Sequence, residues 1–336
     1  MISSQSSNSL WQNASVFVTG GTGFVGSHLV ERLLSLGCTD VRCLVRKDPK
    51  WLKGLPVTFI EGDLTDEEAL RRGLKGAHYV FHIAALTRST RWEEFLLANV
   101  TGTEKLLSVA RAESSLKNSV VVSSLAAIGA SGEAVATEAT GFSPVSMYGR
   151  SKAEMEQRIL SLDQPLTIVR PPAVYGPRET DILTFFKSIN SRLCPIVGSP
   201  NKPVLSLVYV DDLVEGLLQS ALEPAAIGKT FFLGGPRQYS WGEIRDATTQ
   251  ALNKRALTIR IPPAIVPAVG AISESIGKVF GSYPPLNREK AEEITRATIM
   301  CDSSLATSTW GYSPITTLEM GIPKTMAWYK ENGWMK

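Results

Sequence analysis

Tyr148 and Lys152 stand four residues apart in Met147-Tyr-Gly-Arg-Ser-Lys-Ala-Glu154. In a helix that spacing puts both side chains on one face. A tyrosine titrates near pH ~10 and is a poor acid or base at neutrality, but an ammonium beside it favours the phenolate. The pair therefore reads as a proton donor or acceptor matched to hydride transfer. Tyr-x-x-x-Lys alone is common and also describes an ordinary amphipathic helix face. Its position gives it weight, because it follows a strand ending Val121-Val-Ser-Ser-Leu-Ala-Ala-Ile-Gly129. A serine there can hydrogen-bond a substrate oxygen and help hold the phenol. Ser124 is the expected third member, with Ser123 next; the plain alternative is that both cap the strand end.

The second cluster is Ser15-Val-Phe-Val-Thr-Gly-Gly-Thr-Gly-Phe-Val-Gly-Ser-His-Leu-Val30, which runs strand, glycine loop, helix. It satisfies G-x-G-x-x-G through Gly21, Gly23 and Gly26, and T-G-x-x-G-x-x-G through Thr19, Gly20, Gly23 and Gly26. Missing Cβ atoms permit a tight turn and a close approach of pyrophosphate to backbone N–H groups. Gly20, Thr22, Gly23, Phe24, Val25 and Gly26 are thus expected to hold a dinucleotide. An acid at the end of the second strand would bind the ribose hydroxyls and exclude a 2′-phosphate. Here Val41-Arg-Cys-Leu-Val45 is followed by Arg46-Lys47. A guanidinium can hold a phosphate and stack on adenine, so NADP is favoured over NAD, with Arg46 as the discriminating residue.

These residues need a scaffold that brings strand ends together. Ser15 to Thr19, Val41 to Val45, Val57 to Ile60, Tyr79 to His82, Val120 to Ser123 and Thr167 to Arg170 read as strands. Between them, His28 to Leu36, Glu67 to Gly73, Phe95 to Glu113 and Ser151 to Leu162 carry helical apolar spacing. Six strands with crossover helices predict an α/β fold, a Rossmann doubly wound parallel sheet. After Arg170 the texture changes to Pro-Pro-Ala-Val-Tyr-Gly-Pro, a helix near Asp181 to Ser191, and further strands at Leu207 to Val210 and Thr230 to Leu233. The expected organisation is a flexible tail over 1–13, a dinucleotide-binding domain over 14–170 and a substrate-binding lobe over 171–336, with segments of the lobe returning to the sheet.

Composition narrows the function classes. Of 336 residues, 43% are hydrophobic and 20% charged, which suits a packed globular chain and not a disordered one. A net charge of +3 without a basic block gives no reason to expect a nucleic-acid partner. Cys38, Cys43, Cys194 and Cys301 show no metal or redox spacing and read as free thiols, and no metal site is expected. His28, His78 and His82 all fall early, so a hydrolase triad ending in a late histidine has no candidate. The Ser- and Asn-rich start lacks the features of a signal peptide, which makes a cytoplasmic location the default. No apolar run reaches the roughly 20 residues of a spanning helix. The nearest, Ile261 to Phe280, is broken by prolines and charges. It is expected to pack on the protein itself, with a lid or peripheral membrane contact as the less favoured alternative.

Taken in order, the motifs resemble those of the extended short-chain dehydrogenase/reductases, within the NAD-dependent epimerase/dehydratase superfamily. The resemblance runs from Ser15 over nearly the whole chain: the glycine loop, Gly62-Asp63-Leu64, His82-Ile-Ala-Ala85, Asn99-Val-Thr-Gly-Thr103, Ser123-Ser124, Tyr148 to Lys152, Arg170 to Pro177, and Val208-Tyr-Val-Asp-Asp-Leu213. It implies Asp63 and Leu64 at the adenine, Ala84 and Ala85 beside the ribose and nicotinamide, and Lys152 on the nicotinamide ribose. Asn99 and Asp211 would be architectural. Dehydratases of the family carry Asp-Glu after the active-site hydroxyl residue, where this chain has Leu125-Ala126. Sugar-nucleotide members commonly carry Asn before Val-Tyr-Gly, where this chain has Ala173. The Arg170 to Pro177 stretch and the C-terminal segment are more similar to the flavonol-reductase, 3β-hydroxysteroid-dehydrogenase and hopanoid-associated branch.

The resemblance therefore implies an oxidoreductase acting on a secondary alcohol, ketone or aldehyde of a small apolar substrate. The alternatives are a nucleotide-sugar epimerase with tightly bound NAD, and a non-catalytic dinucleotide sensor or assembly protein. A homodimer through helices flanking the fourth and fifth strands is an expected arrangement in such a family. Arg88, Arg91, Trp92, Arg178 and Tyr283 are candidates for lining a substrate pocket.

Overall fold

The computed structural model describes residues 9–132, 134–202, 204–279 and 287–335. Its centre is a seven-stranded parallel sheet in the order β10-β6-β5-β4-β1-β2-β3. The strands are β1 (Ser15–Thr19), β2 (Asp40–Val45), β3 (Thr58–Glu61), β4 (Tyr79–His82), β5 (Asn118–Val122), β6 (Leu166–Arg170) and β10 (Thr230–Phe232). Every residue of β1, β4, β5 and β6 is buried, as a sheet covered on both faces requires. Alternation sorts the contacts: Val16 and Val18 join the core on one face, and Phe17 joins Leu70, Leu74 and Leu106 on the other. The chain order reverses at β1, with β2 on one side and β4 on the other. The carboxyl ends of β1 and β4 therefore open the crevice where doubly wound sheets bind ligands.

Four helices link the first six strands: α1 (Phe24–Ser35), α2 (Glu67–Leu74), α3 (Trp92–Phe95, continuing to Ala110) and α4 (Met147–Ile159). Helix α1 begins four residues before the predicted start. Gly26 lowers helix propensity locally, yet a Cβ there would lie 2.1 Å from the Gly20 carbonyl oxygen, so glycine is what lets this helix seat on its loop. Helix α3 starts at Trp92, passes through a π-helical stretch at Leu96–Thr101 and ends as Gly102–Ala110.

The remaining chain builds β7 (Ala173–Tyr175), α5 (Leu183–Asn190), β8 (Leu193–Val197), β9 (Val204–Tyr209) and α6 (Val210–Leu222) before β10. Beyond β10 come β11 (Gln238–Ser240), α7 (Trp241–Leu252), β12 (Leu257–Ile261), α8 (Val266–Val279), α9 (Arg288–Arg296), α10 (Ser304–Trp310) and α11 (Leu318–Glu331). Strands β11, β9 and β7 form a small sheet, and β12 pairs with β8 in a parallel ribbon. Strand β10 leaves this half to pair with β6.

The expected flexible tail needs one correction. Trp11 is buried and packs at a tilt against Tyr79 and Phe81, with ring centroids 5.1 Å and 6.1 Å away. A single large ring in a Ser/Asn-rich stretch is enough to bind it to the sheet. Residues 1–8 lie outside the described residues, as do Phe280 and Tyr283. Among the described residues the four cysteines are buried and free, no cluster of ligating side chains suits a metal ion, and no helix is long and apolar enough to cross a membrane.

Candidate active site

Gly20 ends β1 with φ +79°, and a Cβ there would strike the backbone nitrogen of Ala84 at 2.4 Å. The first turn of α1 has neither a side-chain cap nor an acid. Its leading N–H groups, over Phe24, Val25 and Gly26, are therefore open to an anion beside the positive end of the helix. Thr22 sits at the mouth of a cavity of about 890 Å³ that runs along the ends of β2 and β3. Arg46, Lys47, Lys50 and Arg72 line it, together with Asp48, Glu61, Asp63 and Asp66. The geometry fits a dinucleotide: an uncapped helix end for the pyrophosphate and a roomy, cation-bearing pocket beyond it. Asp63 lines the pocket with its carboxylate fastened by the Thr65 N–H (2.7 Å) and hydroxyl (2.6 Å), which with Arg46 hold its pKa below the usual range. Leu64 is turned inward toward Gly102. The Ala84 N–H donates to the Thr19 carbonyl at 3.1 Å, and Ala85 is exposed at the crevice.

Across the crevice, Ser124 caps a short 3-10 turn over Leu125–Ala127 by accepting from the Ala126 N–H at 3.1 Å. Ser146 caps α4 through the Gly149 N–H, which fixes where Tyr148 begins the helix. Gly149 is buried against that 3-10 turn, and a Cβ on it would lie 2.3 Å from the Ala126 carbonyl oxygen. The close approach brings Tyr148 to Ser124. Burial pushes the Tyr148 phenol up to about 12, and hydrogen bonding to the Ser124 hydroxyl works against that rise; Glu293 and Asp181 add to it. Lys152 is buried one turn on, with Nζ donating to the Val122 carbonyl at 2.7 Å. Desolvation lowers its pKa to about 8, while the Glu156 carboxylate favours the ammonium.

Several supporting residues escaped the sequence reading. Ser123, the second choice for the substrate oxygen, donates instead to Glu156 inside the protein. Arg170 grips the same carboxylate at 2.7 to 3.0 Å, and both residues of the pair are almost wholly buried. Glu156 was within reach of spacing arguments, since it lies four residues after Lys152; Arg170 was not, since its strand and the helix meet only in three dimensions. His82 lies between Thr19 (2.6 Å) and Thr103 (2.8 Å). The Thr103 hydroxyl donates to the Asn99 carbonyl, which leaves it an acceptor for Nε2–H and assigns Nδ1 as acceptor from Thr19. Asn99, in the π-helical stretch, clamps both backbone groups of Leu86 at 2.7 and 2.8 Å and reaches Ser151. It thereby shapes the loop that leaves β4.

The candidate pocket residues divide. Arg88 pairs with Asp181 across the crevice, and Arg91 with Glu93 and Glu94. Trp92 lies under Arg150 at 4.2 Å. Arg178 turns away to Ser27 and Glu31 on α1.

Comparison with known proteins now bears on this geometry. The model of the NAD dependent epimerase/dehydratase family matches residues 16–234. The chain belongs to that family. It is an enzyme of the extended short-chain dehydrogenase/reductase type. This family member is 29% identical to a ceramide reductase of Caulobacter vibrioides over 95% of its own length and 96% of the relative's. It is 25% identical to a 2-alkyl-3-oxoalkanoate reductase of Shewanella oneidensis, over 93% and 85% of the two chains. Among solved structures, gox2253 superposes with a TM-score of 0.80 at 28% identity, covering 96% of this chain and all of that one. The Rossmann architecture read from the strand pattern is thus also that of its relatives.

Proposed function

We propose that this enzyme carries out reversible hydride transfer at a secondary alcohol or ketone of a small apolar substrate, with NADP as its preferred dinucleotide. The observation that carries the proposal is the contact of Tyr148 with Ser124 across a turn whose next residues are Leu125 and Ala126. This hydroxyl pair supports a site for a carbonyl oxygen, and no acid–base pair follows it for eliminating water. The names of the two reductase relatives support a ketone on an apolar skeleton. Exposed Arg46, with Lys47, Lys50 and Arg72 around one cavity, supports a 2′-phosphate. Residues 14–170 would bind the dinucleotide and 171–336 the substrate.

The nicotinamide, when bound, supplies the hydride in reduction and accepts it in oxidation. The protein's own groups manage the oxygen. Ser124 and Tyr148 both donate hydrogen bonds to the carbonyl oxygen, polarising the carbon toward the hydride. As negative charge gathers on that oxygen, Tyr148 passes its proton across, and the C=O bond becomes H–C–OH. The buried Lys152 ammonium stabilises the phenolate left behind, and Glu156 favours its charged form against the desolvation that lowers its pKa. In oxidation the phenolate takes the alcohol proton back.

Tyr148→Phe removes only the transferable proton. It is expected to lower turnover with NADPH and a ketone panel at least about a hundredfold, with NADPH affinity little changed. Retained turnover would overturn the proposal. So would purified protein that carries stoichiometric NAD and interconverts two sugars without net redox change. Repeating the assay with NADH checks the cofactor assignment, for which the higher kcat/KM is expected with NADPH.

A further inference from the structure

The β8/β12 ribbon has an apolar face that is exposed among the described residues. Its parallel register sets Leu193 opposite Leu257, Pro195 opposite Ile259 and Val197 opposite Ile261, so these three pairs share one side. The other side is the packed one: Cys194 and Ile196 are buried, and Thr258 accepts a hydrogen bond from Arg245 of α7 at 2.8 Å. On the bare side Leu257 is 69% exposed, with Leu193 and Ile259 also exposed.

The chain then turns through Pro262 and Pro263 into α8. Helix α8 packs on α9 through its Gly270 side, where a Cβ would meet the Asn287 carbonyl oxygen at 2.7 Å and the Ala291 Cβ at 3.0 Å. Val269 and Ile272 of α8 are three apart on one helical stripe, and Ile265 in the 3-10 turn just before the helix stands four residues ahead of Val269. That stripe is exposed, Ile272 to 61%. The sequence predicts that this segment packs on the protein, with a lid or peripheral membrane contact as the less favoured alternative; among the described residues one of its faces packs and another is exposed.

Charge identifies the occupant. Between Asp246 and Glu274 the chain has no acidic residue, and Arg255 stands two residues before Leu257; Arg260 alternates to the packed side opposite Ile196, and Lys254 donates to the Asn190 carbonyl at 3.2 Å. Arg192 precedes β8, and its carbonyl accepts from the Leu257 N–H at 2.9 Å, which brings the Arg192 and Arg255 ends of the ribbon together. Arg192 and Arg255 are exposed and form no ion pair among the described residues. A two-fold dimer through the ribbon would set Arg192 and Arg255 against their own copies, with no acid in β8 or β12 to receive them. An anionic surface bearing hydrocarbon beneath it satisfies both the apolar stripe and the cations.

We infer that the β8/β12 ribbon and α8 form a docking surface for an anionic lipid bilayer, on which the protein rests without crossing it. The location has a consequence for the reaction. Glu289 of α9 accepts a hydrogen bond from the Met147 N–H at 3.2 Å, one residue before Tyr148. Helix α8 therefore reaches the bilayer from an element that abuts the catalytic helix, and amphiphilic substrates dissolved in the membrane become the accessible class. This last step rests on the ketone or alcohol reading above; the membrane contact itself does not.

Vesicle sedimentation of the full chain tests the inference, using phosphatidylcholine vesicles with and without about 30% phosphatidylglycerol. Binding is expected only to the anionic vesicles, weakening as salt is raised. Leu257→Ser/Ile272→Ser should lose about tenfold in binding, and Arg192→Gln/Arg255→Gln about fivefold for each cation removed. All variants should keep wild-type Tm and NADPH affinity, which separates this result from a failure of the dinucleotide assignment. Wild type that stays in the supernatant with both vesicle types overturns the inference. Variants that bind as tightly as wild type overturn it as well. A wild-type dimer in light scattering that becomes monomeric in Leu257→Ser/Ile272→Ser would show a second copy of the chain to be the occupant instead.

Discussion

At the scale of single residues, the fold holds one buried base neutral beneath the candidate site. His82 is wholly enclosed between two threonine hydroxyls, and burial together with the nearby Lys152 ammonium pushes its pKa from 6.5 down to about 3. In the unfolded chain the imidazole takes up a proton as pH falls through 6.5; in the folded chain it stays neutral until about 3. The unfolded state therefore binds more protons across that interval, and stability present above pH 6.5 is lost on acidification. At about 1.4 kcal/mol per pH unit, the loss by pH 5 is about 2 kcal/mol. Glutamine can also donate to one threonine and accept from the other, but it does not titrate. Urea unfolding at pH 7 and pH 5 should show wild type losing about 2 kcal/mol more than His82→Gln; equal losses would contradict the assignment. Taking the difference removes the common contribution of the carboxylates.

At the scale of elements, Gly149 controls how helix α4, which bears Tyr148, meets the serine turn. Alanine there places a methyl 2.3 Å from the Ala126 carbonyl oxygen, which is backbone and cannot rotate aside. The first turn of α4 must lift, carrying Tyr148 from Ser124. Gly149→Ala should lower kcat for ketone reduction by about a hundredfold while leaving NADPH affinity within a few-fold. Steady-state kinetics with a fluorescence titration of NADPH checks both halves, and unchanged kcat would show that the contact does not position the phenol. Nothing in the sequence marks Gly149 as a contact residue, because its partner lies 23 positions back on another element. The glycine loop was legible for the opposite reason: strand, turn and helix are neighbours in the chain, so sequence order already encodes their geometry. The buried central strands were legible because they lie under helices on both sides and read as continuous apolar runs. The short strands β7, β8, β11 and β12 were not, since pairing partners distant in sequence define them. Asn99 was recognised as architectural, but its clamp on Leu86 depends on a π-helical stretch that no periodicity predicts. Trp11 was hidden by its polar neighbours.

At the scale of the whole molecule, the two halves of the chain are fastened at several points, and this determines how it unfolds. Strand β10 completes the central sheet from the C-terminal half by pairing with β6. Asn118 on β5 donates to the Ser220 carbonyl at the end of α6, at 3.2 Å and fully buried. Helix α1, which follows the glycine loop, is held from the far half by His28 to the Pro177 carbonyl and by Arg178 to Ser27 and Glu31. Arg178 also lies 5.0 Å from the Trp51 ring, and Trp51 packs on Trp328 and Trp334 near the C-terminus. Removing either half would expose buried carbonyls, an open sheet edge and this aromatic cluster together, so neither half has a stable intermediate to pass through. The chain is expected to unfold in one calorimetric transition. NADPH at a hundred times its Kd should raise stability by about 2.7 kcal/mol, which for a chain of this length is about 4 °C in Tm. Because α1 is shared between the halves, that shift should move the whole peak. Two resolved transitions, with only one responding to NADPH, would show that the dinucleotide-binding sheet folds independently of the lobe that covers it.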